Sequence, residues 1–312
     1  MTKYLYLASR KKEGGLYKYT FEGTKYQQES FIQIDNPMYM IEKDNSMHIL
    51  LRAPFENQES GYVKYKIGGN GDLCNPTRIF STKGEIACHL YVEEEKVYCV
   101  NYTSGSVVQI PDKVVVHKGE QQSHTHYIGV TPDGKYLCVT DLGLDAIYLY
   151  DKDLQLKKKV KMPCGHGVRH LCFTDTPYVF TANELKSTVS VLKYEDETLR
   201  LIDTVSCIPQ GTEGFTAASA IRMYRNKIYV AIRGCNLISC LSFENEKLQF
   251  ESSFSCQGKT PRDFYFDENR LICCNQESDT VTVFQEKDAT FELIQTIKIE
   301  EPICALVYQK EK

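Results

Sequence analysis

The sequence predicts an all-β fold made of seven successive copies of one unit, and three observations predict it. A strand-turn-strand pattern recurs along all 312 residues, its period is 40 to 50 residues, and the chain ends on a strand that the first copy lacks. The copies are LYLASRKKEGGLYKYTF (5–21), ILLRAPFENQESGYVKYKI (49–67), VYCVNYTSGSVVQI (97–110), YLCVTDLGLDAIYLYD (136–151), YVFTANELKSTVSVLKY (178–194), IYVAIRGCNLISCLSF (228–243) and LICCNQESDTVTVF (271–284). Each has a β-rich strand, a polar residue near its end, a short Gly/Ser/Asp turn and a second strand with alternating apolar positions. With Ser9, Ala53, Asn101, Asp141, Asn183, Arg233 and Asn275 taken as equivalent, successive differences in residue number are 44, 48, 40, 42, 50 and 42. That is the period of a propeller blade. The expectation is a single domain over 1–312, a seven-bladed β-propeller.

Taken in order, the first copy begins at Lys3–Ala8, which matches the second strand of a blade rather than its first. The middle copies open on an additional strand, as in CHLYV (88–92), THYIGV (125–130), RHLCF (169–173) and RDFYF (262–266). The terminal ICALVYQ (303–309) is the missing first strand of the first copy. Pairing it with the N-terminal blade closes the ring and leaves no open edge. The run Lys157-Lys158-Lys159 reads as a solvated edge strand. No window sustains a helical period with caps. The segments 111–123 and 203–218 read as connections between blades that shape a rim, and SCIPQGTEGFTAAS (206–219) as a mobile loop.

Composition excludes several classes. The net charge of −4 with scattered Lys and Arg gives no basic stripe, so nucleic acid is not an expected partner. No apolar run approaches the about 20 residues that span a membrane. Thirteen cysteines without a CxxC pair, an odd number with no apolar leader and cleavage site, point to free thiols in a reducing cytoplasm. No cofactor is expected. His124 and His126 form a His-x-His pair, but no third ligand stands nearby for zinc. Calcium would suit Glu184, Asp141 and the asparagines, yet arginines at the same mouth oppose a divalent cation. No metal is expected. Oligomeric state is not legible.

First strands line the channel of a propeller, so residues at equivalent strand ends converge in space. The candidates at first-strand starts are His89, His126, Arg169, His170 and Arg262. Those at second-strand ends are Asn101, Asp141, Asn183, Glu184, Arg233 and Asn275. Asn and Asp recurring there are the residues that hold turns through side-chain hydrogen bonds. Glu184 and Arg233 break the repeat, which marks them for function. Arg169 and Glu184 do not face each other across a plain hairpin, so they are expected to meet through the fold. If Arg169, Glu184 and Arg233 scatter over different faces, a catalytic reading fails.

The segments ACHLYVEEEKVYCVNYTSGSV, HTHYIGVTPDGKYLCVTDLG, GHGVRHLCFTDTPYVFTANELKSTVSV and KTPRDFYFDENRLICCNQESDTVTVF, in this order and spacing, resemble the seven-bladed propeller lactonase family. That family includes the propeller-type 6-phosphogluconolactonases and the fungal carboxy-cis,cis-muconate cyclase. The resemblance spans nearly the whole chain and is strongest from 86 to 285. In the muconate cyclase the site combines a histidine, two arginines and a glutamate, and the matching positions here are His126, Arg169, Glu184 and Arg233. The resemblance therefore implies a lactone hydrolase acting on an anionic sugar lactone, 6-phosphogluconolactone first; the strand-end positions His89, Asn101, Asp141, His170, Arg262 and Asn275 are the expected substrate contacts. Another carboxylated lactone, a cycloisomerisation, or a non-catalytic interaction platform are the alternatives. The residue types suit the chemistry. Arginines hold an anionic group or an oxyanion. Glu184 and His126 are both candidates for the general base that activates water, and a glutamate between arginines ionises readily and is a weak base, which favours His126.

Overall fold

Each strand of the repeat is buried on both faces near the middle of its sheet, so apolar side chains alternate between two neighbouring blades. The computed structural model describes residues 2–288 and 290–309. Seven sheets form in sequence, each a four-stranded antiparallel blade, the second with an additional short strand. In the first blade Lys3–Ser9 pairs with the C-terminal Pro302–Gln309 on one side and Gly15–Glu22 on the other, with Lys25–Gln33 outermost. The register runs from Lys3 opposite Gln309 to Ser9 opposite Pro302, so the expected closure is present. The lysine run lies in Leu156–Lys161, the exposed outer strand of the fourth blade.

The blades fall into two compact units, residues 1–87 with 256–312 and residues 88–255. In the first, Tyr4, Tyr6 and Ala8 pack with Met47, Ile49 and Val63 of the second blade. The intervening Leu5 and Leu7 pack with Ile272, Val281 and Val283 of the seventh. In the second unit Cys138, Ile147 and Leu149 of the fourth blade meet Leu171, Val179 and Leu192 of the fifth, and Phe180, Val189 and Val191 meet Ile221, Val230 and Ile232 of the sixth. At roughly 1.5–3 kcal/mol for each fully buried aliphatic side chain, these inter-blade layers supply the main driving force. All thirteen cysteines are free thiols. Among the described residues no helix is long and apolar enough to cross a membrane.

Three expectations are corrected in detail. The second-blade equivalent of Asn183 is Leu51, which ends Ser46–Leu51 and pairs with Pro37, so Ala53 lies two residues past the proper position. The polar pattern is absent there, and the alignment had slipped to the next small residue. Segments read as connections include outer strands, Lys113–Val116 and the end of Thr198–Ser206, whose exposed polar side chains hide their β character. His89 and His126 do not occupy equivalent positions either: His126 is second in Thr125–Val130, whereas His89 is third in Ala87–Glu93.

A β-bulge recurs near the start of the first strand. The register slips between Pro37 and Tyr39, Thr125 and Tyr127, Val168 and His170, and Pro261 and Asp263, leaving Met38, His126, Arg169 and Arg262 as the additional residues. A bulge re-aims one side chain without ending the pairing. The register also slips at Ile303 of the first blade and between Ala218 and Ile221 of the sixth, and His126, Arg169 and Arg262 are the bulged residues that were polar candidates in the sequence.

Buried histidines make this fold acid-sensitive. His48 lies in Ser46–Leu51 with Nδ1 2.7 Å from the Tyr62 hydroxyl, and burial, helped by the charge of Lys64, lowers its pKa from 6.5 to about 4. A folded pKa below the unfolded one means that the unfolded chain takes up the proton first. The stability is therefore present above pH 6.5 and is lost as pH falls toward 4. At 1.36 kcal/mol per pKa unit this is at most about 3 kcal/mol. Urea midpoints at pH 7 and pH 4.5 are expected to converge in His48→Gln relative to the parent chain.

Candidate active site

The fifth blade carries the centre of the site. Its first strand, Val168–Phe173, is reached through Gly165 and Gly167, whose amides both donate to the Asp145 carboxylate at 2.6 Å. The Glu184 amide donates to the Gly167 carbonyl at 2.8 Å, so the two ends of the hairpin are tied together at its open side. Val168 pairs with Asn183, and the bulge turns Arg169 toward the residue after Asn183. Arg169 Nε consequently lies 2.9 Å from Glu184 Oε2. The two residues meet within one hairpin, contrary to the expectation that they would need the rest of the fold, because the bulge brings Arg169 out of the regular register.

Arg233 arrives from the sixth blade, where it ends Lys227–Arg233 opposite Ala217. It stands where other blades use Asn or Asp to hold a turn. Its NH2 is 2.9 Å from the same Glu184 Oε2. Both contacts are short but lie off the N–H directions, so they are ionic contacts rather than aligned hydrogen bonds. One carboxylate oxygen thus bridges two guanidinium groups. Arg169 is 2% exposed, while the side chains of Glu184 and Arg233 are 18% and 13% exposed, so the cluster is open only on the Glu184–Arg233 side. Arg169, Glu184 and Arg233 therefore gather at one point. Exposed Leu185 and Phe215 follow Glu184 in sequence and precede the sixth blade, respectively.

Gly234 keeps Arg233 in place. Its φ of +85° is a glycine conformation, and a Cβ there would run into the Phe215 carbonyl. Gly234→Ala is expected to destabilise the chain by about 1–3 kcal/mol and to lower turnover more than other surface alanines, read from thermal melts and initial rates.

Beside this cluster stands a group of rings. His126, the bulged residue of the fourth blade, is 5.1 Å from the His170 ring, and His170 is 5.5 Å from His89. Tyr127 lies 4.2 Å from His89 and 5.7 Å from His170. Tyr102 meets His126 edge-on at 5.7 Å and stacks on His124 at 4.4 Å. Burial, reinforced by the charges of Arg222 and Arg169, holds His89 well below its ordinary 6.5. Burial does the same to His170, followed by Arg169 and the neighbouring histidines. Both rings are neutral near pH 7. Tyr102, Tyr127 and Arg222 were not singled out in the sequence. Tyr127 could have been, because it is third in its strand just as His170 and His89 are.

Other candidates are engaged inside the fold. Asp141 is fully buried: Oδ2 is 2.7 Å from His117 Nδ1 and accepts the Ser123 hydroxyl at 2.6 Å, while Oδ1 accepts the amides of His124 and Leu144 at 2.9 and 3.0 Å. Asn101 donates to Ser106 at 3.0 Å, and Asn183 to Thr188 and Ser190 at 3.0 and 2.8 Å. In the other unit Asn275 donates to Thr282 at 3.0 Å, and Arg262 occupies a bulge of the seventh blade. Among the described residues no three His, Cys, Asp or Glu side chains are placed to share a metal ion. A cavity of about 440 Å³ lies elsewhere in the same unit, lined by Glu120, Lys159 and Cys164 among others. It contains none of the clustered residues, so charge and geometry locate the site, not volume.

Arg169, Glu184, Arg233 and the neighbouring histidine rings thus form one charged and aromatic cluster within the second unit of a seven-bladed propeller. The sequence matches the family described as "Lactonase, 7-bladed beta-propeller" over residues 4–307, and the chain belongs to that family. An uncharacterized protein of Staphylococcus aureus is 26% identical over 91% of this chain and 93% of its own length. A solved protein from Lactobacillus plantarum is 25% identical and superposes with a TM-score of 0.89 over 99% of this chain and all of that one. The periplasmic gluconolactonase of Pseudomonas aeruginosa, 21% identical, reaches 0.88 over 98% of this chain and 99% of its own, a likeness of fold alone.

Proposed function

We propose that this chain hydrolyses an anionic sugar lactone, 6-phosphoglucono-1,5-lactone in the first place, in the cytoplasm and without a metal. The observation that carries the reading is Glu184 Oε2 held 2.9 Å from both Arg169 and Arg233. A carboxylate bridging two guanidinium groups holds them at one point, and guanidinium groups suit an incoming phosphate or carbonyl oxygen through charge-assisted hydrogen bonds. Arg233, at the open side, binds the anionic substituent. Arg169, held in a dry environment, stabilises the oxyanion formed as water adds to the carbonyl. His126 takes the proton from that water and returns it to the ring oxygen as the C–O bond breaks. That the cysteines form no disulfide among the described residues supports the compartment.

Freshly generated 6-phosphogluconolactone tests the proposal, compared with unphosphorylated gluconolactone and with a carboxylated lactone, with and without chelator. Hydrolysis clearly above the spontaneous rate, fastest for the phosphorylated substrate and unaffected by chelator, is expected. A preference for the carboxylated lactone would reassign the substrate, and no acceleration of any of them would remove the enzymatic reading.

A further inference from the structure

His170 is a buried polar ring for which the site as described has no task. It follows the bulged Arg169 in Val168–Phe173, and its Nε2 meets no hydrogen-bond partner among the described residues. Burial first, then the charge of Arg169 and the neighbouring His126, His89 and Arg222, keeps the ring unprotonated near neutral pH. A neutral imidazole has one N–H and one lone-pair nitrogen. A lone pair at Nε2 corresponds to the tautomer protonated at Nδ1. The ring it stands beside is His126, at 5.1 Å between centroids and 62° between planes.

We propose that His170 is a positioning residue that acts through His126, its Nε2 accepting the N–H of the imidazolium that His126 becomes on taking a proton. The inference rests on His126 serving as the base. Water loses a proton to His126 as its oxygen bonds to the lactone carbonyl carbon. The proton then leaves His126 for the ring oxygen as the C–O bond breaks. His170 neither gains nor loses a proton. The need for it is electrostatic: His126 is only 3% exposed, so its cation forms away from water. A like charge nearby disfavours that cation, and an acceptor favours it. The groups around the pair are Arg169 on the strand of His170, His89 and Tyr102 from the third blade, Tyr127 beside His126, and Arg222 from the sixth blade, with Glu184 and Arg233 beyond Arg169. His89 donates no charge, being neutral itself.

The test is a nitrogen-15 NMR titration of the histidine rings in the full chain without ligand, with His126 assigned by its loss in His126→Asn. In His170→Phe the His126 titration is expected to move acidward by about one pH unit. In His170→Gln, whose amide oxygen can accept, it is expected to stay with the parent. In the parent chain His170 must show the tautomer protonated at Nδ1. An Nε2–H tautomer overturns the proposal without any variant, as does one His126 titration shared by all three chains. Kinetics separate this inference from the reading beneath it. With 6-phosphogluconolactone, His170→Phe is expected to lose at least tenfold in kcat at unchanged KM, and His170→Gln to recover most of it. Lactone turnover in the parent with an unmoved titration removes the role of His170 alone. A moved titration with no turnover of any lactone supports the paired rings and removes the lactonase reading.

Discussion

Glu184→Gln is expected to lower kcat/KM for lactone hydrolysis by about two to three orders of magnitude, the scale on which a misplaced oxyanion donor is felt. Glutamine has the same shape, and its amide oxygen can still meet one guanidinium. It lacks the charge that holds Arg169 and Arg233 together at a single oxygen. Arg169 is almost fully buried, so losing a charged partner also destabilises the fold, on the order of 2–4 kcal/mol. Initial rates separate the two roles: a fall in kcat with KM little changed means that the bridge orients the oxyanion donor, and a rise in KM at constant kcat means that it orients the anion-binding arginine. Parental rates in a folded Glu184→Gln would show that the bridge is structural only.

Asp141→Ala should be the most destabilising single change in the second unit, by about 3–5 kcal/mol. It would leave His117, Ser123 and the amides of His124 and Leu144 without their acceptor, all in the interior or at its edge. The loss would spread to Tyr150, whose hydroxyl is 2.7 Å from the other nitrogen of His117. Burial alone would raise the Asp141 pKa, but the hydrogen bonds from His117, Ser123 and the His124 amide outweigh it and leave the pKa below 3.8. With the folded pKa below the unfolded one, the contribution is present above about pH 4 and lost as pH falls through the folded value. Asp141→Asn should show the same midpoint in urea at any pH where the parent carboxyl is protonated. An Asp141→Ala chain as stable as the parent at pH 7 would contradict this account.

The blade period, the closing strand and the four polar residues at one end of their blades were legible because strand alternation and turn chemistry are written locally. Arg233 was conspicuous since it stands where Asn183 and Asn275 hold turns. What was not legible is the bulge. A single additional residue such as His126 or Arg169 is lost in the ordinary variation of strand length, and its trace is consecutive buried residues where alternation calls for one face in and one out, as in the first four positions of Val168–Phe173. That trace needs burial to be seen. The same blindness made Arg169 and Glu184 look unable to meet within their own hairpin, and it hid the ring cluster of His89, Tyr127 and His170, whose members are 38 and 43 residues apart in sequence.

The pairing of Lys3–Ser9 with Pro302–Gln309 also sets an order of events during synthesis. In the first blade Lys3–Ser9 is synthesised before the six other blades and its inner strand, Pro302–Gln309, after them. At about 5–20 residues per second, roughly 15–60 s separate the two. During that interval Leu5 and Leu7 have no seventh blade to pack against, and the edge of Lys3–Ser9 that Pro302–Gln309 will cover presents unpaired backbone. Lys3–Ser9 therefore waits with one edge unpaired until Pro302–Gln309 is made, and that edge is where a chaperone would have much to do.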